Sequence, residues 1–457
     1  MSGLTEIKTV YFLGIGGIGM SALARYFNAK GANVSGYDKT ATPLTRELEA
    51  EGMKIHYHED PSLIPENVDL IIYTPAIPKE HAEFAFLQQN NIPLKKRSEV
   101  LGLLTRHQKG IGIAGTHGKT TITTLTAHLM KQSAKGCSAF LGGISKNYNS
   151  NLILSPESPF VVIEADEFDR SFLQLEPEMA VISSMDADHL DIYGDHHSLQ
   201  EAFSAFASRI KPGGILIRKI GLLSELPENL KHYTYSLENV KADFHVRRIR
   251  VENGSYFFDM ITPFGELENL QLNYPGLHNI ENAVAAIALA MLAGVLPNEI
   301  RESLPQFQGV KRRFDIRLKT PTFCYIDDYA HHPAELEACI KSVRHLFPGK
   351  KITAVFQPHL YTRTRDFADQ FARSLELVDE LFLLDIYPAR EWPIKGVTSA
   401  ALLNIIRKTA KKLISKEKLV DNLLQSNPEV LLTLGAGDID QLVLPIEEAF
   451  RKKMEKL

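Results

Sequence analysis

Gly112-Ile113-Ala114-Gly115-Thr116-His117-Gly118-Lys119-Thr120-Thr121 is the stretch whose residue types carry the most chemistry. It follows a basic turn, Arg106 to Lys109, and a short apolar run, and it opens a segment of helical character, Ile122 to Met130. A glycine-rich turn from strand to helix offers backbone N–H groups and a helix N-terminus to anionic oxygens. Lys119 then reaches terminal phosphates, and the Thr120 hydroxyl can ligate Mg²⁺. The strict phosphate-loop pattern has glycine five residues before Gly118, where this chain has Ile113. The match is therefore to a shortened form, G-T-H-G-K-T-T. It reads as a nucleoside triphosphate site; the plain alternative is a glycine-rich turn with a chance lysine.

Two apolar runs downstream end in acids. Phe160-Val161-Val162-Ile163 leads into Glu164-Ala165-Asp166-Glu167, and Met179 to Met185 leads into Asp186-Ala187-Asp188-His189-Leu190-Asp191. Carboxylates at strand tips beside a triphosphate are how one or two divalent cations are placed. His189, a poor ligand for hard Mg²⁺, reads equally as ligand or capping residue. A second glycine pattern, Gly14-Ile15-Gly16-Gly17-Ile18-Gly19, follows the strand-like Thr9 to Leu13, and a second strand ends in Asp38. This G-x-G-x-x-G is a pyrophosphate cradle, with Asp38 either holding a hydroxyl or capping the next segment. NAD and a UDP-sugar share that pyrophosphate, so the motif leaves both open. Thr74 and Arg97 end further strand-like runs and are expected at the same sheet edge.

Asn279 and Asn282 lie three apart at the start of an alanine-rich helix, facing one side as caps or as readers of a base edge. Lys311-Arg312-Arg313-Phe314 closes the middle segment, where an arginine either stabilises charge on a transferred phosphoryl group or belongs to a surface linker. Four later strand-like runs end in polar clusters: Asp327-Asp328-Tyr329-Ala330-His331-His332, Gln357-Pro358-His359-Leu360-Tyr361-Thr362-Arg363, Asp385 to Glu391, and Gly435 to Asp438. Right-handed crossovers would bring all four to one edge of a parallel sheet. His331, His332, His359 and Arg363 are then candidate anion and amine contacts.

The elements that position these groups alternate strand and helix throughout, which makes the chain α/β. Its 457 residues suggest about three domains, with boundaries expected near 107 and 313. Hydrophobic content of 44% and charged content of 23% are globular averages, and a net charge of −4 with no basic block argues against nucleic-acid binding. Lysines and arginines in 407–418 and 451–456 read as solvated helix faces. Three cysteines lack metal-ligand spacing and fit a reducing compartment. The start shows no signal-like pattern and no apolar run reaches membrane-spanning length, so a soluble cytoplasmic protein is expected.

In sequence order, GIGGIGMSALA, GTHGKTT, EADEFD, DADHLD, GLHNIENA, KRRFD, DDYAHHPAE, QPHLYTRT and DIYPARE resemble the Mur ligases, the ATP-dependent amino-acid ligases of peptidoglycan synthesis, over nearly the whole chain. The resemblance implies three domains. They are an N-terminal Rossmann-like UDP-sugar-binding domain (1–107), a central P-loop ATPase-like domain (108–312) and a C-terminal Rossmann-like amino-acid-binding domain (313–457). It implies that Gly14, Gly16, Gly17, Ile18, Gly19, Asp38, Thr74 and Arg97 meet a UDP-sugar rather than NAD. ATP is implied at Gly115, Thr116, His117, Gly118, Lys119, Thr120 and Thr121, with Asn279 and Asn282 at the adenosine and Arg313 at the phosphates. Thr120, Glu164 and His189 would order Mg²⁺, or Mn²⁺ in its place. Tyr329, His331, His359 and Arg363 would meet the incoming amino acid and the sugar's carboxylate, with His331 as the base. The motifs are most similar to the branch that adds L-alanine to UDP-N-acetylmuramate, as a monomer or homodimer. The rivals are the branch that re-attaches a murein tripeptide and, remotely, an NAD-dependent dehydrogenase with an appended NTPase domain. Leu360 stands where a basic residue is expected. Phe203-Ser204-Ala205 stands where sister ligases carry a modified lysine, so no carbamylated lysine is expected.

Overall fold

The computed structural model describes residues 7–187, 190–223, 225–252, 255–389 and 391–455. The expected ligand His189 lies outside them, as do Asp188, Asn253, Gly254 and Arg390.

The first sheet contains β1 (Thr9–Leu13), β2 (Asn33–Tyr37), β3 (Lys54–His56), β4 (Leu70–Tyr73) and β5 (Leu94–Lys96), all parallel, in the order β3-β2-β1-β4-β5. The order reverses direction between β1 and β4, so a crevice opens at the carboxyl end of β1. The glycine loop sits at that switch point. Arg97 is the first residue of the helix Arg97–His107 rather than a strand tip, and Arg106 and His107 end that helix instead of forming a turn.

The second sheet has ten strands: β6 (Lys109–Ala114), β7 (Ser138–Ser145), β8 (Ser150–Ile153), β9 (Phe160–Glu164), β10 (Met179–Ile182), β11 (Ile215–Lys219), β12 (Lys231–Ser236), β13 (Phe244–Glu252), β14 (Ser255–Thr262) and β15 (Gly265–Leu272). Their order is β15-β14-β13-β12-β11-β10-β6-β9-β7-β8. The strand bearing the phosphate loop is central, between two strands that end in acids or hydroxyls, and all three run parallel. β13 and β14 pair antiparallel, with Glu252 opposite Ser255.

The third sheet runs β16 (Asp315–Lys319), β17 (Cys324–Asp328), β21 (Val430–Leu434), β18 (Ile352–Phe356), β19 (Glu380–Leu383) and β20 (Ala410–Leu413), with only β16 antiparallel. All four expected polar clusters therefore emerge at one edge. Asp327 and Asp328 are not tips but the last two residues of β17, and both are buried. Lys411 and Lys412 sit on the exposed edge strand β20, not on a helix face. Lysines there block edge-to-edge pairing.

By contacts the described residues form two compact units, one up to Asn273 with Ile280–Gln308 and the other Tyr274–Asn279 with Gly309 onward. The first unit holds both of the first two sheets over one continuous core, in which Phe12, Phe27, Phe140, Phe172 and Phe206 are buried. All three cysteines are buried free thiols. Among the described residues no helix is long and apolar enough to cross a membrane.

Within the first unit, Asn151 of β8 locks the helix after the glycine loop, Ile18–Ala29. Its amide donates to Ile18 O (2.6 Å) and Ser21 Oγ (2.8 Å), and its carbonyl accepts from Arg25 Nη1 (2.7 Å). Asn151 is fully buried. Asn151→Ala would strand buried partners, one of them charged, so a loss of about 2–3 kcal/mol is expected. The check is the urea midpoint of the first transition; an unchanged midpoint contradicts this account.

Candidate active site

Only four residues, Gly115 to Gly118, connect β6 to the helix Lys119–Lys131. Ile113 is buried inside β6, which is why no glycine is required there: the turn begins two residues later. Gly115 has φ +132°, and a Cβ on it would lie 2.1 Å from Ser183 Oγ. Gly118 has φ +83°, and its Cβ would lie 2.6 Å from Asn282 Oδ1. Thr116 N and His117 N already donate to Ser184, to its carbonyl at 3.2 Å and its hydroxyl at 2.7 Å. The helix itself has no side-chain cap, so its first amides present a positive end to an anion.

Lys119 points back under this turn. Its Nζ donates to Gly115 O (2.7 Å) and lies 2.9 and 2.8 Å from the two carboxylate oxygens of Glu167. Burial opposes the ammonium charge, but Glu167, Asp166 and Glu164 outweigh it and hold Lys119 above the usual lysine range. Thr120 Oγ1 donates to Glu164 Oε1 at 3.1 Å. Glu164 reaches that position because Gly142 lies opposite it on β7, where a Cβ would come within 2.0 Å of Glu164 Oε2. A hydroxyl and a carboxylate side by side are hard oxygen donors of the kind Mg²⁺ takes. The donor set fits.

The glycine loop is equally crowded. Gly14 has φ +86° and a Cβ there would strike Thr74 Cγ2 at 2.6 Å; one on Gly19 would strike Arg97 Nη1 at 2.5 Å. Asp38 Oδ2 accepts from Gly16 N at 2.8 Å and Oδ1 from Thr40 N at 3.2 Å, so its carboxylate holds the loop and starts the next turn. Gly17, Ile18, Gly19, Thr74 and Arg97 then line one side of a cavity of about 260 Å³ whose other side includes Gly142, Glu164 and Asp166. Arg97 Nη2 is 3.8 Å from Asp166 Oδ2 across it. The glycine loop thus opens onto the same space as Glu164, whose carboxylate bonds Thr120 of the phosphate turn's helix.

Asn282 lies against the phosphate turn in the first unit. Asn279 is buried and its side-chain amide donates to Pro275 O at 2.5 Å, which ties it to the turn before its own helix, in the second unit.

In the second unit the residues of the four clusters meet. Tyr329 and His331 ring centres are 5.2 Å apart, His331 and His359 5.9 Å, and His359 stacks on Tyr387 at 5.7 Å. Arg363 Nη1 approaches His359 Nδ1 at 3.4 Å. His331 Nδ1 faces Tyr329 O (3.0 Å) and Glu335 Oε2 (3.3 Å), so the proton of the neutral ring is assigned to Nδ1 and Nε2 is its basic nitrogen. Of the arginine pair, Arg312 is committed to structure, through Gly435 O (2.6 Å) and Asp327 (3.4 Å). Arg313 stands over the Tyr329 ring at 4.9 Å, with Glu335 3.9 Å away. Both belong to the second unit and do not close the middle segment. Leu360 is buried, with φ +70° at the start of the helix Tyr361–Asp366.

Sequence reading passed over Glu167, Gly142, Ser184, Glu335 and Tyr387. Paired glycines inside a strand, Gly142-Gly143, do signal a close approach, and Glu335 sits one helical turn from His331. Nothing local distinguishes Glu167 from its acidic neighbours.

Asp328 accepts from Phe314 N (2.6 Å) and Ala330 N (2.7 Å). Burial, opposed by Arg313, raises its carboxyl from 3.8 to about 6. Below the unfolded value both states are protonated; between the two values only the unfolded chain ionises, so stability falls as pH rises and the penalty is complete above about 6. The shift amounts to roughly 3 kcal/mol at most. Relative to Asp328→Asn, wild-type stability is expected to drop by up to that amount between pH 4 and 7 in urea titrations; a constant difference contradicts it.

Three family models match in chain order: "Mur ligase family, catalytic domain" over residues 9–109, "Mur ligase middle domain" over 113–290, and "Mur ligase, glutamate ligase domain" over 312–437. A curated relative from Cytophaga hutchinsonii, named UDP-N-acetylmuramate–L-alanine ligase, is 51% identical over 452 residues, covering 97% of each chain. Among solved structures, a UDP-N-acetylmuramate-alanine ligase from Thermotoga maritima superposes with a TM-score of 0.83 at 27% identity, covering 98% of this chain and 100% of that one. A murein peptide ligase from Psychrobacter arcticus shares the fold at a TM-score of 0.73 and 20% identity, covering 97% and 98%. With three domain models in register and half the residues identical from end to end, the chain belongs to the Mur ligase family.

Proposed function

We propose that the chain is an ATP-dependent ligase that joins L-alanine to the lactyl carboxylate of UDP-N-acetylmuramate, the first amino-acid addition in peptidoglycan precursor synthesis. The observation that carries the chemistry is the single cavity with the glycine loop, Thr74 and Arg97 on one side and Glu164 on the other. A sugar nucleotide on the loop has its acyl end beside the groups that handle phosphate. The preference for alanine follows the activity for which these relatives are named.

A carboxylate is a poor electrophile. Attack of a lactyl carboxylate oxygen on the γ-phosphorus of ATP, with ADP leaving, makes an acyl phosphate. The neutral amine of alanine then attacks the acyl carbon, the tetrahedral oxyanion collapses, and inorganic phosphate leaves. Both reactants of the first step are anionic, so the work of the chain is charge compensation and placement. Lys119 and the free amides of its helix hold the terminal phosphates. Thr120 and Glu164 would hold Mg²⁺, which supplies Lewis-acid charge when bound; His189 completes the set in this reading. Asn282 approaches the nucleotide from the Gly118 side, and Asn279 is assigned to supporting that helix start. Gly14 to Gly19, Asp38, Thr74 and Arg97 seat the UDP-sugar. Tyr329, His359 and Arg363 receive the amino acid, Arg313 the phosphoryl charge, and His331 Nε2 takes the proton of the attacking amine.

Phosphate release with UDP-N-acetylmuramate and ATP is expected to require L-alanine; stimulation by murein tripeptide in place of alanine overturns the assignment. Lys119→Ala should lower kcat by at least about a thousandfold and leave sugar-nucleotide binding within a few fold by calorimetry. Gly142→Ala pushes Glu164 off Thr120, so a raised Mg²⁺ requirement is expected with unchanged circular dichroism. An unaltered Mg²⁺ titration removes that pair from the mechanism.

A further inference from the structure

From Asp166 in the cavity wall the chain continues through Glu167-Phe168-Asp169-Arg170, and its backbone is unusual. Asp169 and Arg170 have φ +53° and +54°, consecutive left-handed residues without glycine. Side-chain sterics disfavour that conformation, so surrounding contacts must enforce it. Three do. Lys96 Nζ donates to Asp169 Oδ2 at 2.9 Å, the Arg170 guanidinium stands over the Tyr193 ring at 5.2 Å, and Tyr193 OH donates to Glu167 O at 2.6 Å. Lys96 ends β5 of the first sheet, and Arg97, next to it, starts the helix that meets Gly19 of the glycine loop. Glu167, two residues before the strained pair, holds Lys119. One short segment therefore has a carboxylate on the phosphate-binding lysine, one facing Arg97 beside the sugar-nucleotide loop and one on its neighbour Lys96.

We propose that Glu167 and Asp169 are positioning residues that make the ATP-side lysine answer to the sugar-nucleotide side: Glu167 neutralises Lys119 while Asp169 is tethered to Lys96, and a diphosphate arriving at the glycine loop breaks the tether. This rests on the reading of that loop as a UDP-sugar site. The diphosphate offers Lys96 and Arg97 a denser negative charge than Asp169 and Asp166 do. With the tether gone the strained pair loses one of its three supports, keeping the two through Tyr193, and relaxation at Asp169 withdraws the Glu167 carboxylate from Lys119. The ammonium is then available to the γ-phosphate. The sugar nucleotide should tighten ATP binding, and by linkage ATP should tighten sugar-nucleotide binding by the same factor.

Calorimetry on the full chain with a non-hydrolysable ATP analogue and Mg²⁺, with and without saturating UDP-N-acetylmuramate, tests this. Wild type is expected to bind the analogue at least about fivefold more tightly when the sugar nucleotide is present. Asp169→Ala is expected to bind it tightly without the sugar nucleotide, and the ratio should fall below about twofold. Asp169→Glu, which can re-form the pair with Lys96, should restore part of the ratio. A purely structural role for Asp169 would weaken both conditions alike and leave the ratio unchanged, which overturns the proposal. So does a wild-type ratio near one when UDP-N-acetylmuramate binds in a separate titration. If it fails to bind in that titration, the sugar-nucleotide reading itself is refuted, and the tether proposal with it. Should Asp169→Ala not fold, Lys96→Met carries the same expectation from the other end of the pair.

Discussion

One ammonium group among three carboxylates organises the first unit. Lys119 is held between Glu167, Asp166 and Glu164, and a buried charge is tolerated only when it is paired and hydrogen-bonded. That requirement dictates where the strand ends fall. β9 must finish beside β6, so that its acids come under the phosphate turn, and β10 must finish on the other side, so that Ser183 and Ser184 occupy the turn's carbonyl and amides.

Close approach is the second constraint. The functional glycines are sites where another side chain occupies the space of a Cβ: Thr74 over Gly14, Asp38 over Gly16, Arg97 over Gly19, Ser183 over Gly115, Asn282 over Gly118 and Glu164 over Gly142. Each pair joins a glycine to a polar residue from a different element. The glycine loop and the phosphate turn thus have their partners built in before any ligand arrives.

The second unit solves a related problem with buried acids. Asp327 and Asp328 end a strand where an aqueous tip is the ordinary expectation, yet they face inward and hold Arg312, Phe314 N, Ala330 N and Thr433. They anchor the stretch that presents Arg313 above Tyr329. The histidines and Arg363 gather beside it because three crossovers deliver their strands in parallel.

Order of motifs and alternation of strand and helix were properties of the sequence itself. Glycine spacing, apolar runs ending in acids and the parallel topology are local or follow from chain handedness, so three α/β sheets and the family were readable without coordinates. The turn from β6 into its helix could be read although Ile113 broke the standard pattern. Tertiary structure alone decided which like residue does what. Arg312 and Arg313 are indistinguishable as letters, but one is spent on Asp327 and Gly435 O. Asn279 and Asn282 share a helix start, but one bonds the turn before it and the other touches Gly118. Glu164 and Glu167 stand three apart, and only packing assigns one to Thr120 and the other to Lys119. Sequence specifies chemical type and local geometry; a side chain's partner depends on residues tens to hundreds of positions away, and that pairing exists only once the chain has folded.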